Sequence, residues 1–315
     1  MIAEARFRQR LPQLDGGTFI TDGGMETTLI FHEGVELPEF AAFPLLDDAR
    51  GRELLKAYYS RYIGIARSRG VGIVLDAVTW RASRGWGERL GYSPEALADV
   101  NRRAVALLEE LRADAGEAPP LVISGCVGPR GDAYRADDAM SAAEAERHHG
   151  EQIETLAGTA ADLITGLTLT YSEEAVGIAR AATRAGMPVV VSFTVETDGR
   201  LPSGQPLGEA IEQVDAETDR APVYFMINCA HPTHFDDVLS ASPPWRDRIK
   251  GLRANASTKS HAELDEAEEL DAGDPDDLAE RYRALRGRLT NMNVVGGCCG
   301  TDHRHIDAIC AAVTR

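Results

Sequence analysis

Short apolar runs rich in β-branched residues alternate along the chain with longer amphipathic stretches. Short apolar runs bounded by turn residues predict buried strands, whereas apolar positions that recur every three to four residues predict helices. The runs that meet the strand criteria cover residues 18–25, 72–79, 120–127, 162–169, 188–195, 223–229, 250–256 and 293–298. The pattern therefore predicts eight buried strands separated by amphipathic segments.

Several of the amphipathic stretches begin with helix-capping signals. Ser172 opens one stretch and Asp274-Pro275 opens another, where an oxygen acceptor or a proline suits the free N–H groups of a helix N-terminus. The connection over residues 231–240 is short and leaves room for only a turn or two of helix. The predicted helices cover residues 53–69, 94–113, 142–160, 172–185, 208–216, 275–288 and 304–313.

Strands that alternate with helices form βαβ units and hence a parallel sheet. Eight such units in 315 residues favour an α/β fold made of one (β/α)8 TIM barrel, whose active site lies at the C-terminal ends of the strands. An open doubly wound sheet is the alternative that the same pattern allows. Because no linker or break in composition interrupts the pattern, we expect a single domain over residues 1–315.

The charge balance narrows the range of partners. Lys and Arg number 33 against 50 Asp and Glu, which gives a net charge of −17. Such a chain repels nucleic-acid phosphates and anionic lipids, so we expect no nucleic-acid partner and no membrane partner. The sequence shows no signal-peptide pattern and no apolar run of the roughly 18 residues that a membrane span needs. Five Cys residues form no disulfide framework, so we expect a cytoplasmic protein.

An acidic stretch lies late in the chain. Residues 261–280 hold ten acidic side chains and no Lys or Arg. We interpret this stretch as a solvated face of helix and loop, which is the usual setting of such a charge run, rather than as an interaction tail.

Three cysteines stand at the predicted carboxyl ends of strands. Cys229 ends the sixth strand, and Cys298 and Cys299 end the eighth. Side chains of alternate barrel strands share a layer, so we expect the three thiols to converge at one level of the barrel mouth. Three thiolates and an open fourth position are the layout of a catalytic zinc site. The spacing alone leaves open the alternative that Cys298 and Cys299 are small buried apolar residues.

Three motifs resemble those of the homocysteine S-methyltransferase family. They are Asp22-Gly23-Gly24-Met25, Asn228-Cys229 and Gly297-Cys298-Cys299-Gly300-Thr301. This family includes the betaine- and S-methylmethionine-dependent enzymes and the homocysteine module of methionine synthase, and the likeness covers residues 18–313. The resemblance implies a (β/α)8 barrel and a Zn²⁺ cofactor. It also implies that Cys229, Cys298 and Cys299 are the metal ligands and the catalytic residues.

The resemblance implies a definite reaction. A free thiol titrates at about 8.5 and is mostly protonated at neutral pH, whereas a thiol bound to zinc is deprotonated. We therefore expect methyl transfer from a small onium donor, S-methylmethionine-like or betaine-like, to a zinc-activated thiol such as homocysteine, giving methionine. The expected partners are a small thiol acceptor and a small methyl donor, and the sequence predicts no particular oligomeric state.

Two positions depart from the family's pattern. Leu167 stands where the family has a Glu that holds the amino group of homocysteine, and Val78 stands where the family has an Asn. A buried ammonium without a partner is too costly to tolerate. Either the acceptor is a different small thiol, or another carboxylate has taken over, for which Glu26 is the candidate. The alternative for Glu26 is a structural role, in which its carboxylate interacts favourably with the partial positive charge of a helix N-terminus.

Aromatic residues near the strand ends are further candidates for substrate binding. The faces of Trp80, Trp86 and Tyr134 suit methylated cations. Packing of loops is the alternative, and we favour it for Trp86. Together with the motif residues, the predicted substrate-binding set is Asp22, Gly23, Glu26, Thr79, Trp80, Asn228 and His231.

Four histidines could have either a binding or a structural role. His231 stands close to Cys229 in sequence, and we favour a contact with the donor or a hydrogen bond to a metal ligand. For His234 we favour the alternative, in which it satisfies backbone carbonyl groups at the start of a short helix. His148 and His149 follow acidic residues in the third predicted helix, so we expect them at the surface.

Two other functions would use the same cysteines. A zinc hydrolase on this barrel would use metal-bound water, but that chemistry favours His and carboxylate ligands over three thiolates. A non-catalytic metal-binding or redox-responsive protein would use Cys298 and Cys299 as reactive thiols. A methyltransferase is the interpretation that the ligand set favours.

Overall fold

The structure is a computed structural model that describes residues 5–116, 119–239, 244–267 and 269–314. Its strands close into an all-parallel barrel in sequence order, with β1 paired to both β2 and β8. This closure confirms the predicted (β/α)8 barrel and excludes the open sheet. The strands are β1 (Phe19–Ile20), β2 (Gly72–Asp76), β3 (Leu121–Val127), β4 (Leu163–Leu169), β5 (Val189–Phe193), β6 (Pro222–Asn228), β7 (Ile249–Ala254) and β8 (Val294–Gly297).

The predicted strands are all present, but several end earlier than the apolar pattern indicates. The clearest case is β1, which ends at Ile20 although the pattern extends to residue 25. After β1 the chain passes close to the segment that follows β8: a Cβ on Gly23 would lie only 2.7 Å from the carbonyl oxygen of Thr301, a separation that only glycine tolerates. Met25 then begins a helix, so the second half of the first predicted strand is wrong.

Helices follow the strands and surround the barrel. Ser141 caps one of them through a complete capping box with Glu144, and Ser93 caps another ahead of Pro94. Within the described residues the α-helices are α1 (Met25–Thr27), α2 (Ala49–Arg69), α3 (Arg84–Arg89), α4 (Pro94–Ala115), α5 (Ala142–Ala157), α6 (Ser172–Arg184), α7 (Leu207–Glu217), α8 (Asp236–Leu239), α9 (His261–Asp265), α10 (Pro275–Arg286) and α11 (His303–Val313).

Short helices after β2 and β7 were not predicted. With six and five residues, α3 and α9 are too short to show a helical period in the sequence. Both matter because they carry residues that face the barrel mouth. In the part of the chain that the structure describes, no helix has the length and apolar character needed to cross a bilayer.

The barrel interior is packed with side chains rather than open. Inward-facing residues of successive strands form this core, which residues from the N-terminal segment also join. Because this packing fills the interior, the space available to a ligand lies at the carboxyl ends of the strands. The buried members of this interior cluster are Leu11, Phe19, Val74, Val122, Cys126, Leu163, Leu167, Val190, Tyr224, Met226 and Val294.

His149 is buried, which contradicts the expectation that it lies at the surface. Its Nε2 lies 2.9 Å from Oε1 of Glu174, which also accepts a hydrogen bond from the backbone N–H of Arg130 over 2.8 Å. His148 is only half-buried. The sequence prediction for His149 failed because α5 packs against α6, so the face that carries His149 is an internal one.

Candidate active site

The three thiols predicted from the sequence meet at one point of the barrel mouth. Cys229 follows β6, and Cys298 and Cys299 follow β8. Their sulfur atoms all lie within 4.8 Å of one another, and Sγ of Cys229 is 3.6 Å from Sγ of Cys299. No other group of three His, Cys, Asp or Glu side chains among the described residues has this geometry. The expectation from strand layering is therefore confirmed.

Cys229 adopts a left-handed backbone conformation, with a φ of 56°. This region is unfavourable for residues with a side chain and costs on the order of 1 kcal/mol or more. The carbonyl oxygen of Cys229 accepts hydrogen bonds from Nδ2 of Asn255 over 3.0 Å and from Nε2 of His261 over 2.7 Å. These two donors hold the strained residue in the position from which its sulfur faces the vicinal pair.

The segment after β8 turns so tightly that it requires glycine. A Cβ on Gly297 would lie 2.0 Å from Oγ1 of Thr301, and Gly300 has a φ of 78°. Oγ1 of Thr301 donates a hydrogen bond to the carbonyl oxygen of Cys298 over 2.7 Å, which closes the turn. The glycines on both sides of the vicinal pair thus let two adjacent cysteines contribute to one cluster.

The thiols perturb one another's ionisation. Hydrogen bonds with Cys229 and Cys299 lower the pKa of Cys298 well below its ordinary value, and the guanidinium of Arg253 acts in the same direction. Hydrogen bonding with Cys298 raises the pKa of Cys229, and hydrogen bonding with Cys229 raises the pKa of Cys299. One thiolate is therefore favoured, whereas three thiolates at this separation need a cation among them. The cluster could hold a soft metal ion.

Tyr134 and His261 complete the surroundings of the thiols. Oη of Tyr134 lies 3.1 Å from Sγ of Cys229 and 3.6 Å from Sγ of Cys299. The Tyr134 ring stacks on His261 with centroids 4.1 Å apart, and Nδ1 of His261 lies 3.2 Å from Oε1 of Glu196. The sequence predicts a role for the aromatic face of Tyr134 in binding a methylated cation, whereas in the structure its hydroxyl group contacts the sulfur atoms. His261 was missed because it opens the acidic stretch that we expected to be solvated.

A cavity of about 620 Å³ opens beside the thiols. Its volume lies in the range of small-molecule sites. The predicted substrate-binding residues that line it are Asp22, Gly23, Glu26 and Trp80. Thr79, Asn228 and His231 do not line it, so the structure does not bring these three residues together with the others.

Asn228 is fully buried and braces the neighbouring strand. Its Oδ1 accepts hydrogen bonds from the backbone N–H of Thr168 over 3.0 Å and from Oγ of Ser192 over 2.6 Å. Its Nδ2 donates to Oγ1 of Thr168 over 2.7 Å. Thr168 has a φ of 64°, so Asn228 stabilises an unusual backbone conformation at the end of β4. Most contacts of the side chain therefore lie within the barrel wall, and its Nδ2 also donates to Sγ of Cys298 over 3.9 Å.

Thr79 and His231 also make contacts within the protein. Oγ1 of Thr79 donates to the carbonyl oxygen of Cys126 over 2.7 Å. Nδ1 of His231 accepts a hydrogen bond from the backbone N–H of Thr233 over 3.3 Å and thereby caps the short turn that follows, and burial lowers the pKa of His231 to about 4. His234 contacts a backbone carbonyl through Nε2, in agreement with the interpretation favoured for it.

Arg253, on β7, is a buried cation in the cavity wall that pairs with two carboxylates. Its Nη2 lies 2.5 Å from Oδ1 of Asp22, and its Nη1 contacts Asp76. Oη of Tyr58 donates to the second oxygen of Asp22 over 3.0 Å. Burial raises the pKa of Asp22 to about 6, and Arg253 opposes that rise. The side chain of Asp22 is thus engaged in a network inside the protein.

Glu26 presents a carboxylate to the cavity but, unlike Asp22, it has no arginine partner among the described residues. Among the described residues, no other side chain forms a hydrogen bond or ion pair with it, and its carboxylate accepts from its own backbone N–H. Burial raises the pKa of Glu26 to about 7, and the nearby charges of Cys298 and Asp22 act in the same direction. Leu167 and Val78 line the same cavity, so both positions that depart from the family's pattern are apolar wall here.

The acidic stretch over residues 261–280 is not simply a solvated face. His261 is buried, and Leu264, Leu270 and Asp271 line the cavity. Oγ of Ser257 donates to Asp271 over 2.7 Å and ties this segment to the end of β7. The expectation of a solvated face holds for the acidic side chains of Glu263 and Glu266, which are exposed, but not for the other face of this segment, where His261 is buried and the leucines line the cavity.

The two tryptophans near the cavity are held by backbone contacts. Nε1 of Trp80 donates to the carbonyl oxygen of Leu167 over 3.1 Å, and Nε1 of Trp86 donates to that of Pro129 over 3.2 Å. Trp86 lies within α3 rather than on a loop, which corrects its expected placement. Its burial agrees with the packing role that we favoured for it.

Comparison with protein families and curated proteins gives consistent matches. A family model described as homocysteine S-methyltransferase matches residues 19–313. The methionine synthases of Mycobacterium leprae and Mycobacterium tuberculosis are 35% and 34% identical to this chain over 147 and 145 residues. Each alignment covers 44% of this chain but 11% of the relative, so the similarity concerns a small part of those longer proteins.

Solved structures show the same fold. The oxidized form of the homocysteine methyltransferase MmuM from Escherichia coli matches with a TM-score of 0.73 and 21% identity, over 95% of this chain and 97% of that chain. The metallated form of the same protein matches with a TM-score of 0.70 and 20% identity, over 95% and 98% of the two chains. These structures agree with the closed barrel described above.

Proposed function

The chain belongs to the homocysteine S-methyltransferase family, and on this basis we propose that it transfers a methyl group from a small onium donor to homocysteine, giving methionine. The observation that carries the proposal is the convergence of Cys229, Cys298 and Cys299 beside a cavity of small-molecule size. A thiol-rich cluster at the floor of such a cavity suits an acceptor that itself reacts through sulfur.

We propose Zn²⁺ as the metal, with these three cysteines as its ligands. Tetrahedral zinc with Zn–S distances of about 2.3 Å needs sulfur atoms about 3.8 Å apart. The separation of 3.6 Å between Cys229 and Cys299, and the limit of 4.8 Å for the whole cluster, fit that requirement with small adjustments. Three protein ligands leave one position for the acceptor thiol. Zinc bound there would keep the acceptor sulfur deprotonated at neutral pH.

The remaining chemistry is a single displacement. The acceptor thiolate attacks the methyl carbon, a new carbon–sulfur bond forms, and the bond from that carbon to the donor's sulfonium or ammonium centre breaks. The bonding electron pair leaves with the donor, whose sulfonium or ammonium centre becomes a neutral thioether or amine. The cavity contributes by alignment, and its apolar walls at Val78 and Leu167 exclude water as a competing nucleophile. The hydroxyl of Tyr134 donates a hydrogen bond toward the sulfur atoms.

We propose that Glu26 binds the ammonium group of the acceptor. Leu167 offers no charge, whereas Glu26 presents an unpaired carboxylate to the same cavity. We propose in addition that Trp80 contacts the methylated cation of the donor, since it lines the cavity. Asp22 and Gly23 shape the turn at the cavity floor. The apolar character of Leu167 also supports a second candidate, in which the acceptor is a different small thiol that lacks an amino group.

The proposal extends to the organisation and setting of the protein. We propose that the barrel is one functional domain, because the cavity is lined by residues from the first strand end to the last. Unpaired thiols in the site require reducing conditions, which supports a cytoplasmic location.

The experiment is a mass-spectrometric assay of methyl transfer, with zinc-loaded protein, homocysteine and a panel of onium donors. We expect one zinc ion per chain and formation of methionine with at least one donor. Replacement of homocysteine by thiols without an amino group tests the second candidate. A protein that carries zinc but methylates no thiol with any donor contradicts the proposed function.

A further inference from the structure

Arg81 is a buried guanidinium in the wall of the cavity. Its side chain is 7% exposed and lies between two aromatic rings, with the guanidinium carbon 4.4 Å from the ring centre of Trp80 and 3.6 Å from that of Trp86. It lines the same cavity as Glu26 and the cysteines. Stacking of this kind fixes the plane of the guanidinium but leaves its N–H groups unsatisfied.

Most of the N–H groups of Arg81 have no acceptor within the protein. Nη1 donates to the carbonyl oxygen of Gly131 over 3.0 Å, and this is its only hydrogen bond to the described residues. Nε is buried without a partner, and no carboxylate among the residues that the structure describes lies within ion-pair distance. A buried charge without a partner is expensive, so an arginine in this setting needs an anion.

Neighbouring arginines show what Arg81 lacks. Arg89 also lies over the ring of Trp86, with its guanidinium carbon 4.5 Å from the ring centre, and pairs with Glu39 at 3.5 Å. Arg253 in the same cavity wall pairs with two aspartates. Arg81 has no carboxylate partner among the described residues. It is also too buried for bulk water to solvate its charge in place of a carboxylate. Burial lowers its pKa to about 10, and the charges of Asp132 and Glu26 oppose that shift from a distance, so it stays positively charged at neutral pH.

We propose that Arg81 binds the carboxylate group of a small amino-acid or betaine-type ligand in this cavity. The guanidinium fork matches a carboxylate in shape and charge. Arg81 and Glu26 then place a cation and a carboxylate in the lining of one cavity, which is complementary to a zwitterion that carries an ammonium and a carboxylate. The ligand class rests on the proposed methyl transfer, because both the acceptor and the onium donor of that reaction can carry this carboxylate.

The test compares each ligand with its carboxamide, which keeps the shape and removes the negative charge. Binding of homocysteine, S-methylmethionine and glycine betaine to zinc-loaded protein is measured by calorimetry, and each is compared with its amide. Two of the three tryptophans in the chain flank Arg81, so tryptophan fluorescence gives a second readout. We expect the acid to bind about tenfold to a hundredfold more tightly than the amide for at least one ligand. The ligand that shows the preference identifies the acceptor or the donor as the source of the carboxylate.

Arg81→Gln is expected to abolish the preference for the acid while leaving the affinity for the amide nearly unchanged. Arg84→Gln is the matched control, since Arg84 begins α3 three residues after Arg81, does not line the cavity and pairs with exposed carboxylates. Arg81→Lys keeps the charge without the fork and is expected to give an intermediate preference. If Arg81→Gln does not fold, the role of Arg81 is tested by two other results: the preference of the unaltered protein for the acid over the amide, and the reduction of that preference in Arg81→Lys.

Equal binding of acid and amide for all three ligands overturns the inference. So does an Arg81→Gln protein that also binds the amide much more weakly than the unaltered protein does, because that is the result of a purely structural role beside the two rings. These outcomes are separate from the proposed function. Methyl transfer without a preference for the acid contradicts only the role of Arg81, and a preference for the acid without methyl transfer contradicts only the reaction.

Discussion

Nε2 of His261 donates a hydrogen bond to the carbonyl oxygen of Cys229 over 2.7 Å, across 32 residues of sequence. The contact fixes a cysteine that has a left-handed backbone conformation, and it also places the His261 ring under the ring of Tyr134. A single side chain from α9 thus sets the position of one sulfur atom and of the hydroxyl group beside it.

His261→Ala is expected to weaken zinc binding by about tenfold to a hundredfold, as is typical when a group that orients a metal ligand is lost. The measurement is competition for zinc with a chromogenic chelator. His231→Ala is the control, because His231 caps its own turn and does not line the cavity. Equal zinc affinity in the two variants would show that His261 does not position Cys229.

Tyr134→Phe removes the hydroxyl group that lies beside the sulfur atoms and keeps the stacked ring. We expect the zinc content to stay at that of the unaltered protein while kcat falls by about tenfold, since hydrogen bonds to charged groups contribute about 1.5–3 kcal/mol. Tyr92→Phe is a suitable comparison, because Tyr92 bonds to Asp47 at the surface. Full turnover in Tyr134→Phe would exclude a role of the hydroxyl in the reaction.

Cys298→Ser is expected to abolish both tight zinc binding and methyl transfer, because hard oxygen is a poor substitute for thiolate in this ligand set. Cys310→Ser makes the same chemical change at a buried position within α11, away from the cavity. Metal analysis and the methyl-transfer assay on both variants check the prediction. Zinc retained at full stoichiometry in Cys298→Ser would remove this residue from the ligand set.

Glu26→Gln is expected to raise the KM for homocysteine by at least about tenfold, with a smaller effect on kcat, since it removes the charge that faces the ammonium group. The double variant Glu26→Gln with Leu167→Glu returns a carboxylate to the position that lines the same cavity from β4. We expect it to recover part of the lost affinity. Unchanged steady-state kinetics in Glu26→Gln would contradict the binding role. The carboxylate of Glu26 would then only interact with the positively charged N-terminus of its helix.

Glu26 also makes stability depend on pH. Its folded pKa of about 7 lies above its ordinary value of 4.5, so the folded state holds the proton more tightly. The stabilisation of the folded state by this protonated carboxyl group is fully present below pH 4.5 and is lost as the pH rises through 7. The shift of 7 − 4.5 = 2.5 corresponds to at most about 3 kcal/mol, reduced by water in the cavity.

Glu26→Gln cannot ionise and should therefore gain stability relative to the unaltered protein between pH 5 and pH 8. Urea unfolding at the two pH values measures the difference in the free energy of unfolding. Asp22 also has a raised pKa and is present in both proteins, so the difference reports the ionisation of Glu26 together with its interaction with Asp22. A constant difference across this range would mean that Glu26 is already ionised well below neutral pH.

The sequence allowed the barrel and the thiol cluster to be predicted because both have local signatures. Each strand is a short apolar run, and the segment Gly296 to Thr301 carries the glycines that its turn requires. The position of Cys229 followed from the alternation of layers around the barrel. The strands and the turn depend on near neighbours in the chain, whereas the assignment of Cys298 and Cys299 to a metal site also needed the family resemblance, because their spacing alone fits small buried apolar residues equally well.

The rest of the site depends on contacts that sequence spacing does not encode. Asn228 and Cys229 are adjacent, yet Asn228 mainly braces β4 inside the wall while Cys229 contributes its sulfur to the cluster, because the backbone at Cys229 departs from strand geometry. Thr79 lies one residue from Trp80 but turns toward Cys126. The roles of His261 and Arg81 arise from segments that meet only in the folded barrel. Adjacency to a motif was therefore a poor guide to which side chains face the cavity.

The strand that supplies two of the three sulfur atoms is also the one that seals the ring, since β8 pairs with both β7 and β1. The donor set therefore comes into existence only when the whole chain, from its first strand to its last, has reached its native arrangement. If the cluster binds the proposed zinc ion, full coordination by three thiolates would report completed folding, because a partly unfolded chain offers only the adjacent pair Cys298 and Cys299 and a distant Cys229.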